Sequence, residues 1–235
     1  IHPPDLERYG LSSRDRVTSR TGHPLKVLGD RVGQIFGVEE WDLYIHRAHS
    51  GSLEIEFADP PAILVPAYVP TLSEPQQVFL LGRVLCNLAR RLPSLDKYAP
   101  QAIEVLLASA ARNVEPRFGA GLADEEFLNA EARRISKALS RRGRRAMEDA
   151  AQRYVKAPRA DLATFVANGR MAAARAAVLL ADDLPGSISL VRRLEGDLSG
   201  VQGAALAQGM RLVHDLLRFW VSEPAFALRR RLRLL

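Results

Sequence analysis

Histidine and cysteine, the usual carriers of acid–base, nucleophilic and metal chemistry, are scarce here: five His and one Cys in 235 residues. His46 and His49 form an HxxH spacing at the end of a β-type run, with Glu54 and Glu56 on the next run. Imidazole and carboxylate are ligand types for zinc, but a zinc site needs three or four converging donors. The turn context predicts solvated histidines instead. His214 lies beside Asp215 among Leu212, Val213, Leu216 and Leu217. A general base would suit that pairing, but the apolar helical setting reads as a satisfied, partly buried histidine. His23, before Pro24, reads as a surface turn. Cys86 falls mid-helix among Val84, Leu85 and Leu88, where a small buried hydrophobe is expected. There is no G-x-S-x-G elbow, no P-loop and no dinucleotide fingerprint. Asp182 and Asp183 are adjacent, so on a helix their side chains diverge by about 100°. Helix-end capping suits them better than joint catalysis.

Charge is the stronger feature. Of the 33 Lys and Arg, 29 are Arg, against 27 Asp and Glu, for a net charge of +6. Arg133, Arg134, Lys137, Arg141, Arg142, Arg144 and Arg145 form the densest cluster. Residues 134, 137, 141 and 145 would share one face of a continuous helix. Ser140 and Gly143 interrupt it, which predicts a corner between two helices. Glu131, Glu148 and Asp149 stand close enough in sequence to offset part of the charge. The cluster contains no aromatic residue, which argues against stacking on single-stranded nucleic acid. It reads as a self-paired, solvated corner or as a patch for an anion or partner. The C-terminal stretch from Leu217 mixes Phe219, Trp220 and Phe226 with Arg229, Arg230, Arg231 and Arg233, and is expected to dock back on the core.

These residues must be held by a mainly helical α+β chain. Residues 1–20 read as a polar arm or linker, and 21–235 as a single domain with a β unit at 40–68. The spacing of Leu25, Val27, Leu28, Val32, Ile35 and Phe36 predicts an amphipathic helix ended by Gly37. Three short runs follow, 42–48, 52–57 and 62–68, and predict a three-stranded antiparallel unit. His49-Ser50-Gly51 would turn one hairpin, and Pro66 would place the third run at an edge. After Ser73, a helix N-cap, some seven or eight helices are expected. They cover 77–91, 98–112, 124–140, 144–157, 161–180, 187–194, 203–221 and the chain from 225.

A single Cys forms no intrachain disulfide, so a reducing, cytoplasmic setting is the expectation. No apolar run reaches the roughly 20 residues of a membrane span. The missing initiator Met suggests a fragment of a longer chain.

The run Ala62-Ile-Leu-Val-Pro66, leading through Ser73 into a helix with a distant Ala/Arg-rich helix, resembles the core of HExxH zinc metallopeptidases. On this chain the signature window falls at Leu81-Gly82-Arg83-Val84-Leu85, and the distant ligand position at Arg170. Leu81 and Leu85 then stand for the histidines and Gly82 for the catalytic glutamate. The resemblance therefore implies a degenerate core without its zinc. Phe79-Leu-Leu-Gly-Arg83, Ser140-Arg-Arg-Gly-Arg-Arg-Ala146, Leu180-Ala-Asp-Asp-Leu184 and Leu217-Arg-Phe-Trp220 are similar to the C-terminal domains of large bacterial tetratricopeptide-repeat proteins of unknown function. Together the two likenesses imply a pseudoenzyme: a non-catalytic protein-interaction or regulatory module without a cofactor. Its partner would be a protein, the upstream repeats included. The alternatives are a metallopeptidase-like enzyme with unorthodox ligands (His46 and His49 with Asp182 or Asp183) and a basic nucleic-acid or anion-binding domain.

Overall fold

The computed structural model describes residues 5–49, 51–158, 160–195 and 203–234. Ile1 to Pro4 of the expected arm, Ser50 of the expected hairpin turn and Leu235 lie outside the described residues. The chain groups into two compact units: one from His2–Asp96 with Gly169–Leu235, the other Lys97–Asn168.

The first unit is built on a sheet of four short strands: β1 (Arg16–Val17), β2 (Asp42–His46), β3 (Glu54–Glu56) and β4 (Ala62–Pro66). Their order is β1-β2-β4-β3, with β2 and β4 parallel and the other two pairs antiparallel. The three-stranded antiparallel expectation is thus corrected to a mixed sheet of four strands. β1 has two residues, too few to carry a period. β2 and β3 are not neighbours, so no hairpin joins them.

β4 is central rather than an edge strand. Every residue of it is buried, as a continuous apolar run in the middle of a sheet should be. Pro66 is tolerated because it is the last residue of the strand. The lost N–H leaves the pairing with β2 intact, since the next residue, Ala67, donates to the His46 carbonyl at 2.8 Å.

One sheet face carries Leu43, Ile55, Ile63 and Val65 into the main core. The other presents Tyr44, Ala62 and Leu64, covered by Leu6, Tyr9 and Leu11 of the N-terminal arm. The core is closed by α1 (Pro24–Phe36) and α2 (Glu74–Ala89). His23 caps α1, its Nδ1 accepting the Leu25 N–H at 3.2 Å, and Gly37 ends the helix with a φ of 72°. Ser73 caps α2, and Gln76 reaches back to the Ser73 N–H at 3.3 Å. α3 (Ser94–Lys97) is a short added turn.

The Lys97–Asn168 unit contains α4 (Pro100–Ala111), α5 (Glu125–Ala138), α6 (Arg141–Lys156) and the start of α7 (Leu162–Ala181). α4 packs on both α5 and α6. From Gly169 onward the chain belongs to the first unit again, where Ala174, Ala177 and Val178 of α7 enter the core. α8 (Leu184–Glu195), α9 (Gly203–Gly209), α10 (Arg211–Trp220) and α11 (Glu223–Leu232) complete it. Ten helices therefore follow β4 among the described residues, not seven or eight. The excess is α3 and the division of 203–221 at Met210, which is extended (φ −121°, ψ 108°) between α9 and α10.

Candidate functional site

The positions that the metallopeptidase resemblance would assign to ligands and base fall in two helices. Leu81 and Leu85 of α2 are fully buried in the core. Gly82 abuts α7 so closely that a Cβ there would lie 3.1 Å from that of Ala177. Arg170 of α7 donates from Nε to the Leu95 carbonyl at 2.7 Å. Two aliphatic side chains, a glycine and a guanidinium offer no donor atom to zinc, so these residues do not fit the metal.

His46 departs from expectation. It is 1% exposed rather than a solvated turn residue, and both ring nitrogens are buried without a hydrogen-bond partner. The ring is enclosed by Tyr9 (centroids 5.0 Å apart) and His49 (4.6 Å). His49, exposed, meets Glu54 at 2.7 Å, and the Tyr9 hydroxyl donates to the other Glu54 oxygen at 2.5 Å. Burial holds the His46 imidazole below the ordinary histidine value, with the neighbouring His49 adding to the effect. Burial and the Glu54 carboxylate push the Tyr9 phenol up. Asp182 and Asp183 do not join this cluster. Asp182 lies 3.7 Å from Arg229, and Asp183 Oδ1 accepts the Gly186 N–H at 2.9 Å, capping α8 as expected. Among the described residues, no group of three or more His, Cys, Asp or Glu is placed to hold a metal ion.

His214 is exposed, not partly buried, because Val213 and Leu216 take the inward face of α10. Its neighbour Asp215 is engaged by Arg175, whose Nε donates to it at 2.8 Å. Cys86 is buried as expected, and burial raises its thiol pKa. The C-terminal stretch docks in part. Ala225 and Arg229 are buried, the Arg229 guanidinium lying over the Trp220 ring, while Phe226, Leu228 and Leu232 remain exposed.

The arginine cluster forms the expected corner. Ser140 caps α6, its Oγ accepting the Gly143 N–H at 3.1 Å. Arg144 reaches back from Nε to the Ser136 carbonyl at 3.2 Å, satisfying one of the orphan acceptors at the end of α5. Arg134 pairs with Glu131 at 2.6 Å. Glu148 and Asp149, four residues after Arg144 and Arg145, form no ion pair with them. Arg133, Lys137, Arg141, Arg142 and Arg145 are exposed, and none of the five has an ion-pair partner among the described residues.

The placement is electrostatically adverse. Arg141, Arg142, Arg144 and Arg145 occupy the start of a 16-residue helix with no acidic residue in its first turn. A helix N-terminus carries partial positive charge and favours anions; a cation there costs about 0.3–1 kcal/mol. Like charges four apart, as at 133/137 and 141/145, add about 0.2–0.5 kcal/mol per pair. Stability alone therefore disfavours this arrangement, and an anion docked on it would relieve the strain.

Arg112 holds a role that no sequence motif announces. Buried at the end of α4, it donates to the Phe118 carbonyl (3.0 Å), Asn129 (3.0 Å) and both oxygens of Glu125 (2.8 and 3.1 Å). This guanidinium organises the loop before α5 and pulls the Glu125 carboxyl below its ordinary value. Its sequence, Ala-Ala-Arg-Asn, carries no signal of that role.

No family model, curated protein or solved structure matches the chain.

Proposed function

We propose that the chain is a non-catalytic interaction module that binds an acidic segment of a partner protein at the α5–α6 corner. One observation carries the reading: four arginines at the start of α6, with no compensating carboxylate in its first turn. Arginine suits carboxylate recognition because its planar fork can donate two parallel hydrogen bonds. No aromatic residue lies between Phe127 and Tyr154, so the corner lacks the stacking platforms that single-stranded nucleic acid uses. The upstream repeats implied by the resemblance are one source of such a segment. The aliphatic and cationic side chains at the degenerate-protease positions favour a module without peptidase chemistry.

Fluorescence anisotropy tests the proposal, using a Glu/Asp-rich peptide and a DNA duplex as probes. The expected outcome is saturable peptide binding that weakens as ionic strength rises. The double variant Arg141→Glu/Arg145→Glu should lose it at least about tenfold, from two charge-assisted contacts, with circular dichroism unchanged. Tighter binding of the duplex, with a steep salt slope, would assign the corner to nucleic acid. Peptide binding unaffected by the double variant would refute the corner.

A further inference from the structure

Helix α11 belongs to the other compact unit and takes no part in the interaction reading. It turns Ala225 and Arg229 inward, four residues apart. The Arg229 guanidinium lies over the Trp220 ring at the end of α10, 3.1 Å from its centroid, and 3.7 Å from Asp182. These contacts fix which sides of the helix face water. Pro224, Leu228, Arg231 and Leu232, at i, i+4, i+7 and i+8, share one side, and all four are exposed. Phe226 and Arg230 are exposed on the opposite flank, and Val221, just before the helix, is 71% exposed. Four of the nine large apolar side chains exposed among the described residues therefore fall within 221–232.

We infer that α11 docks on an anionic lipid surface through its Leu228–Leu232 side. The arginines alone have a reason within the helix, because cations near a helix C-terminus offset its partial negative charge. That reason does not extend to the leucines exposed beside them. Apolar side chains interleaved with arginine suit the interface of a bilayer, where aliphatic groups enter the acyl boundary and guanidiniums meet lipid phosphates. The charge complementarity is one-sided. Arg230, Arg231 and Arg233 have no ion-pair partner among the described residues, and no Asp or Glu occurs from Pro224 to Leu235. A protein partner would need an apolar groove with carboxylates matched to this convex strip; a fluid anionic surface supplies both without a matched shape. Ten residues are far short of the roughly 20 that cross a bilayer, so α11 lies in the interface plane.

Co-sedimentation of the full chain with vesicles tests this, using phosphatidylcholine alone and phosphatidylcholine with about one-third phosphatidylserine. Saturable binding to the anionic vesicles and little to the neutral ones is expected, weakening as ionic strength rises. Arg230→Gln/Arg231→Gln, confined to exposed side chains, should weaken it about twenty- to thirtyfold, at about fivefold per arginine near the surface. Leu228→Ser/Leu232→Ser should weaken it at least about tenfold, with circular dichroism unchanged. Arg141→Glu/Arg145→Glu should lose far less than either, so this inference and the corner reading can fail separately. A nitrobenzoxadiazole dye on Leu232→Cys, Cys86 being buried, should shift to the blue on anionic vesicles as the side chain leaves water. No binding to anionic vesicles, equal binding to neutral ones, an unshifted dye, parent-like binding in Arg230→Gln/Arg231→Gln, or a larger loss in the corner variant would overturn the inference. So would a Glu/Asp-rich peptide that binds through Arg230 and Arg231 while vesicles do not, an outcome that assigns the helix to a protein partner.

Discussion

His46 shows how a single residue can carry a measurable cost. Its two ring nitrogens are buried and unpartnered, and a buried polar atom left without a hydrogen bond costs roughly 1–3 kcal/mol. Burial also lowers its pKa in the fold. Between that depressed value and the ordinary histidine value of about 6.5, the unfolded chain binds more protons than the folded one. Stability therefore falls as the pH drops below about 6.5 and levels off once the folded imidazole is itself charged. The groups facing it are His49, Glu54 and Tyr9. His46→Phe keeps the ring contacts and removes both orphaned atoms. It should raise stability at pH 7 by on the order of 1 kcal/mol and flatten the loss between pH 7 and 5, as read by urea unfolding at the two pH values. An unchanged acid slope would mean that the slope arises elsewhere.

At the scale of elements, the basic start of α6 sets stability against the recognition proposed for it. Arg141 is the first residue of the helix, where a carboxylate would interact well with the dipole. Arg141→Glu should therefore raise the thermal midpoint, by the equivalent of about 0.5–1 kcal/mol, while weakening the acidic peptide. A lower midpoint together with weaker binding would show that the arginine is structural. The corner itself was legible because Ser140 breaks a charged helical run as an N-cap, and caps are local chemistry; Gly143, also read as a break, lies inside the first turn of α6. α1 and the start of α2 were legible for the same reason, through Gly37 and Ser73. Strand order was not, because β2 pairs with β4 past an intervening strand, and no local pattern encodes that partner. Pro66 misled for a related reason: its effect depends on where in the ladder it falls. The burial of His46 was hidden because the arm that covers it, at Tyr9, is 37 residues away in sequence.

For the whole molecule, the net charge of +6 takes on a location. Residues 133–156 alone contain nine Lys and Arg against two acidic residues, a larger surplus than that of the entire chain. The Lys97–Asn168 unit thus presents its basic helix start from a small helical framework, and that framework depends on a buried cation. Arg112 ties the end of α4 to the Phe118 carbonyl, to Asn129 and to Glu125. Glu125 is well exposed, so loss of that pair is softened by solvent. Asn129 is exposed as well, but the half-buried Phe118 carbonyl would still lose its donor, at about 1–3 kcal/mol. Arg112→Met retains much of the buried stem and removes the donors. Its α4 and α5 amides should exchange about ten- to a hundredfold faster than in the parent chain, from that energy at 1.4 kcal/mol per decade. Acidic-peptide affinity should fall with them, since the corner is held from beneath by α4. Parent-like exchange in Arg112→Met would show that α4, α5 and α6 pack without this hub, and that the arginines of α6 stand on apolar contacts alone.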